Sequence, residues 1–200
     1  LIMRKLLILM IAVFTLSATT MNAQDVENVD LTVILQDVLD LNVTSGAALT
    51  FTFDTPIEWT NGIDGDVEGG TTTITCDATQ DWDLTIDALD LTGVGFGGTM
   101  LANNVGIWVE ATGNHTIGAE VTCAYTAFAS PLALPNAATM LIENGSGNAG
   151  NATDNAFTLH WEVGTMQGGM NATNMLDHVA AGTFVIDTYT TTVNLTLQAD

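Results

Sequence analysis

Two sets of side chains in this 200-residue chain have the types and spacing to do chemistry. The run Asn61-Gly62-Ile63-Asp64-Gly65-Asp66-Val67-Glu68-Gly69-Gly70 places carboxylates at every second position, Asp64, Asp66 and Glu68, in a loop that glycine lets bend. Hard cations take oxygen ligands so arranged, and Ca²⁺ is the ion expected there, although the glycine and distal Glu of an EF-hand are not in place. The other set is Cys76 and Cys123, the only cysteines. In an exported chain a lone pair reads as one structural disulfide, and neither a CxxC redox spacing nor further close metal ligands accompany it.

Catalytic constellations are thin. After the first 23 residues the serines are Ser45, Ser130 and Ser146, none of them in a G-x-S-x-G turn. His115, His160 and His178 stand apart from one another, without HExxH or HxH spacing. Carboxylate pairs such as Asp81/Asp83 and Asp87/Asp90 could serve glycosidase chemistry, but acidic residues are so frequent that a solvated face explains them. Trp59, Trp82, Trp108 and Trp161 fall in separate segments and read as core or sheet-edge residues rather than a sugar platform. No catalytic residue is assigned, and the chain is expected not to be an enzyme.

Charge narrows the classes further. Arg4 and Lys5 are the only basic residues, whereas residues 24–200 hold all 23 Asp and Glu, a formal charge of −23. Nucleic-acid binding needs cationic neutralisation of phosphate and is excluded, as are a P-loop lysine, an arginine phosphate clamp and a polybasic membrane patch. The field favours cations, again Ca²⁺. Arg4-Lys5 are followed by an apolar run at 6–16 and a small and polar stretch ending Met21-Asn22-Ala23. That order is a secretory signal peptide, 1–23, with cleavage expected near Ala23/Gln24. The run is too short for a stable transmembrane anchor, and no later segment replaces it. The protein is therefore expected to be secreted, at the extracellular cell surface.

The elements that must carry these residues read as strands. After residue 23, Thr outnumbers Ser 29 to 3, a β-branched excess that suits a pleated, half-buried surface. Alternation and turn boundaries place strands at 29–43, 48–53, 71–77, 83–91, 105–110, 115–127, 139–143, 157–163 and 182–197. Gly- and Asn-rich connections separate them, and the best helical candidate is 172–181. The fold expected is all-β, a single β-sandwich of Ig-like or jelly-roll-like kind, with a closed barrel as the alternative. The domain division expected is an N-terminal extended strand over 24–43, then a sandwich over 44–200.

The first strand is unusual. Its odd positions, Val29, Leu31, Val33, Leu35, Asp37, Leu39, Leu41 and Val43, are apolar except Asp37, and its even positions are mostly polar. Fifteen residues would span about 50 Å, against a usual strand of five or six residues. It either bends at Asp37 to serve its own domain or pairs with a neighbour.

Two resemblances follow from these segments. Asp81-Trp82-Asp83-Leu84-Thr85-Ile86, preceded by a Thr-rich strand into Cys76, resembles the first Trp-x-Leu element of WxL-type bacterial surface domains, and 182–197 is similar to their closing strand. Trp161-Glu162-Val163 only approximates the second element, so cell-wall binding is not carried over. The 29–43 strand resembles the donor strands of polymerising pilins, in which one subunit completes the sheet of the next. These resemblances imply a structural subunit of an extracellular filament or surface layer, a homopolymer in which the apolar positions of 29–43 form the polymerisation strand. A monomeric surface adhesion module for glycan or Ca²⁺ is the alternative.

Overall fold

The computed structural model describes residues 31–200, the side chains of Val67 and Glu68 excepted. The expected signal peptide, 1–23, and Val29 lie outside the described residues. Residues 36–200 form one unit, and residues 31–35 belong to the unit that precedes it. β1 (Leu39–Ser45) therefore goes with the body of the molecule.

The body is all-β, with three short helices and a single 3₁₀ turn among the described residues. In chain order its further strands are β2 (Ile63–Asp64), β3 (Thr71–Ala78), β4 (Trp82–Ala88), β5 (Leu91–Gly93), β6 (Thr99–Met100) and β7 (Val105–Ala111). They continue with β8 (Val121–Thr122), β9 (Leu132–Ala133), β10 (Thr139–Asn144), β11 (Ala156–Val163), β12 (Tyr189–Thr190) and β13 (Val193–Ala199). One sheet has the order β1-β3-β11-β7-β9, with β2 also on β11; a second runs β13-β4-β10-β8; a small third runs β12-β5-β6. Every ladder is antiparallel and no sheet closes on itself, so the barrel alternative is set aside.

Period-two sequence explains the main strands. In β3, Thr72, Ile74, Cys76 and Ala78 are buried while the intervening Thr and Asp are half-exposed. β4 repeats the pattern with Trp82, Leu84, Ile86 and Ala88 inward. The inward faces of β3, β7 and β11 in the first sheet and β4 and β10 in the second contribute to one hydrophobic cluster. Trp82 of β4 meets Phe157 of β11 edge to face, ring centroids 6.0 Å apart, so this pair joins the two sheets.

Asn148 holds that tryptophan. Trp82 N–H donates to Asn148 Oδ1 (2.9 Å), its indole Nε1–H donates to the Asn148 carbonyl (3.0 Å), and Asn148 Nδ2 donates to the Trp82 carbonyl (2.8 Å). All of this lies in the buried interior, where unpaired polar groups would be costly.

Three short helices accompany the sheets. α1 (Pro56–Asn61) begins with a capping box: Thr55 Oγ1 accepts from Glu58 N–H, and the Glu58 carboxylate accepts from Thr55 N–H. α2 is a single turn, Gly65–Glu68, and α3 (Met175–Ala180) falls inside the expected helical stretch 172–181.

Replacing Trp82 with Ala should cost about 3–5 kcal/mol, the usual loss for a buried aromatic. Urea unfolding should show a lower midpoint with an unchanged slope; an unchanged midpoint would remove Trp82 from its joining role.

Candidate functional site

The acidic loop folds around its own carboxylates. Asp64 caps α2, its Oδ1 accepting from Asp66 N–H (3.0 Å). Asp66 reaches His160 Nδ1 on β11. Glu68 ends α2, and its side chain lies outside the described residues. The structure thus brings Asp64 and Asp66 close in sequence but gives each a protein partner. Among the described residues no group of three His, Cys, Asp or Glu is arranged to hold a metal ion.

His160 is fixed from three sides. Its ring lies parallel on Trp108 at 3.7 Å, Asp66 faces Nδ1, and Glu110 Oε2 lies 3.3 Å from Nε2. The cross-strand register sets this up, because His160 is opposite Trp108 and Glu162 is opposite Gly106 and Asp64.

Glu162 is fully buried beside this cluster. One carboxyl oxygen accepts from the Thr165 hydroxyl, and the other has no partner. Burial pushes its pKa up to about 7, the nearby Asp64 and Asp66 push the same way, and the Thr165 bond opposes them. Gly106 makes room for it: a Cβ there would sit 2.9 Å from Glu162 Cγ.

The expected Cys76–Cys123 bridge is not formed; both are free thiols. Cys76 lies in β3, opposite Leu41 of β1, with its side chain in the core. Cys123 follows β8, which pairs in the other sheet, and its sulfur accepts from Tyr125 N–H (3.4 Å). Burial pushes the Cys76 thiol up to about 12 and raises Cys123 as well, so neither is poised as a nucleophile.

The expected strand 29–43 is also corrected. Among the described residues of this stretch only Leu39–Ser45 is a strand, and it pairs with β3 of its own chain, with Leu41 packed against the core. The ladder begins near Val38, whose N–H and carbonyl both bond Thr79, and residues 31–35 form no strand. Leu31 (84% exposed), Val33 (70%) and Leu35 (90%) have no apolar cover, and Ile34 breaks the polar row of even positions. Leu39 and Val43 share the face of Leu41 on β1 yet stay exposed, and β1 is an edge of its sheet among the described residues.

Beyond β1 the chain turns at Gly46, whose left-handed φ of 67° brings it hard against the Thr71 carbonyl, where a Cβ would collide. It then runs along an open groove of about 740 Å³. Residues 46–53 form one wall and 185–193 the other, over a floor that includes Leu91, Val105, Trp161 and Phe184. Within the first wall Leu49, Phe51 and Phe53 are half-buried and Thr50 and Thr52 exposed, the alternation of a strand. Yet among the described residues nothing bonds the backbone of 47–52, so the expected strand at 48–53 has strand pattern without a ladder.

Compared with known proteins, the chain matches no family model, and no curated protein shows significant similarity to it.

Two outcomes are expected. Because Glu162 binds its proton more tightly when folded, its contribution is complete below the ordinary carboxylate range and lost as pH rises through about 7. Glu162→Gln should therefore raise the melting temperature relative to wild type at pH 8 and not at pH 4; parallel profiles would show that Glu162 is not the titrating group. Iodoacetamide should modify both cysteines in denaturant without reductant and Cys76 negligibly in the native protein, read by mass spectrometry.

Proposed function

We propose that this protein is exported and serves as a structural subunit of an extracellular filament or surface layer, assembled by β-strand complementation. The observation that carries the reading is the row Leu31, Val33 and Leu35, apolar and exposed just ahead of an edge strand. Apolar residues in this density are normally covered, and an uncovered strand-patterned segment invites pairing with another chain. The basic, apolar, small-residue order of 1–23 supports export, and the −23 charge of 24–200 suits an abundant surface protein kept soluble between contacts.

The sandwich belongs to the same reading. The two larger sheets drawing on one core, with Trp82 against Phe157 between them, support two faces of a single Ig-like or jelly-roll-like sandwich. The free edges of β1 and β13 leave the sandwich able to accept a strand. No helix among the described residues is long and apolar enough to cross a membrane, which fits contact with neighbours through strands.

The test compares chain 24–200 with chain 38–200 by sizing and negative-stain microscopy at high concentration and physiological salt. Fibres from the longer chain, with the shorter one monomeric and melting at nearly the same temperature, are expected. A longer chain that stays monomeric would overturn the reading.

A further inference from the structure

The wall at 47–53 is a strand in pattern that has no ladder partner among the described residues. Leu49, Phe51 and Phe53 turn inward and Thr50 and Thr52 outward, while no described group bonds the backbone of 47–52. The opposite wall differs, because Tyr189 and Thr190 already pair with β5 and Val94 N–H donates to the Thr188 carbonyl. One added strand against 47–53 would supply the missing ladder and cover the groove floor together.

Resting on the strand-complementation reading, we infer that this groove is the acceptor for residues 31–36 of a second copy of the chain, laid against 47–53 with Leu31, Val33 and Leu35 turned to the floor. Length fits, since six residues extend about 20 Å and the seven of 47–53 about 23 Å. Side-chain parity fits as well: apolar Leu31, Val33 and Leu35 face inward beside Leu49, Phe51 and Phe53, leaving Thr32 and Ile34 outward with Thr50 and Thr52.

Charge selects this surface. Among the described residues Asp187 is the only charged one lining the groove, and its carboxylate is taken by the N–H groups of Gly95 and Phe96. Residues 31–36 carry no charge, in a chain whose formal charge is −21. Two copies so acidic meet at least electrostatic cost along an uncharged strip.

The route of the chain points to a second copy rather than self-insertion. β1 runs from Leu39, opposite Ala78, to Ser45, opposite Thr73, and the wall starts beyond it at Gly46. Residues 36–38 therefore enter β1 at the end remote from the groove, a strand of seven residues or about 23 Å away. Filling its own groove would require the segment to double back along all of β1. Identical strands and grooves joined this way give a head-to-tail contact that propagates.

The experiment is cross-linking in chain 24–200 with Cys76 and Cys123 replaced by Ala. Proteins carrying Thr32→Cys or Ile34→Cys are mixed with proteins carrying Thr50→Cys or Thr52→Cys, or Gln198→Cys as a control on exposed β13, then oxidised. Residues opposite one another in a ladder come close enough to bridge. A disulfide-linked dimer from at least one groove pairing and none from Gln198→Cys is the result expected. Val33→Asp should abolish both dimer and fibres while leaving the monomer folded by circular dichroism. Fibres without groove cross-links would overturn the acceptor assignment and leave the filament reading standing. A bridge formed only within one chain, in protein carrying both cysteines, would overturn the second copy as occupant. Absence of fibres and of every cross-link would overturn the assignment together with the filament reading beneath it.

Discussion

The structure depends on how a chain with no lysine or arginine after residue 5 accommodates its carboxylates. Salt bridges are scarcely available, so backbone N–H groups take their place. Glu58 accepts from Asp54 and Thr55 N–H, Asp81 from Asn148 and Ala149, Asp83 from Asn144, Asp77 from Ala152 and Asp90 from Ala102. Each of these bonds fixes a turn, a cap or a strand connection. The N–H groups of Thr55 and Asp54 hold Glu58 below the ordinary range. Asp187 is also lowered, burial opposing while the N–H groups of Phe96 and Gly95 prevail. Stability from such groups is present above the ordinary carboxylate range and is lost as pH falls.

The same constraint shapes the interior. Most buried polar sites are filled by Asn and Thr, which can be satisfied without a counter-ion: Asn148 around Trp82, and Thr72, whose hydroxyl accepts from the Trp161 indole (3.0 Å). Glu162 is the buried carboxyl among the described residues, and it shows what an uncompensated one does. With no cation to offset burial, it holds its proton instead of its charge. His160, two residues earlier on β11, has its ring engaged by Asp66 and Glu110.

Strands whose partners lie in the chain were legible in the sequence almost to their ends. Alternation at 71–77, 139–143 and 157–163 corresponds to β3, β10 and β11. The 115–127 segment failed because Thr116, Gly118 and Val121 bond one another locally, leaving only β8 as strand. α1 was missed although Thr55-Pro56-Ile57-Glu58 spells a capping box with proline at the first helical position. At the candidate site, every-second-residue carboxylates were visible, but the chain winds Gly65–Glu68 into a helical turn, so the backbone there does not keep the alternation of a strand. The partner of Asp66 is His160, 94 residues away, and no local pattern announces it.

The segments 29–43 and 48–53 show what periodicity can and cannot say. Period-two patterning reports that a segment is built to lie in a sheet; it does not say whose. In β1 the partner is β3 of the same chain, but residues 31–35 and 47–52 have the pattern without a ladder. Two unpartnered strand-like segments in one chain are a hazard unless they are complementary, because each is a template for indiscriminate pairing. Their placement limits that hazard: one is flanked by Asp30 and Asp37, and the other lies in a chain of large negative charge. Repulsion between copies is long-ranged at low salt and is cut to about 8 Å at physiological ionic strength. Only an approach that sets the uncharged strips together replaces that residual repulsion with apolar burial and backbone bonds. In the proposed assembly, charge would disfavour most encounters between copies, and the groove would specify the one that is kept.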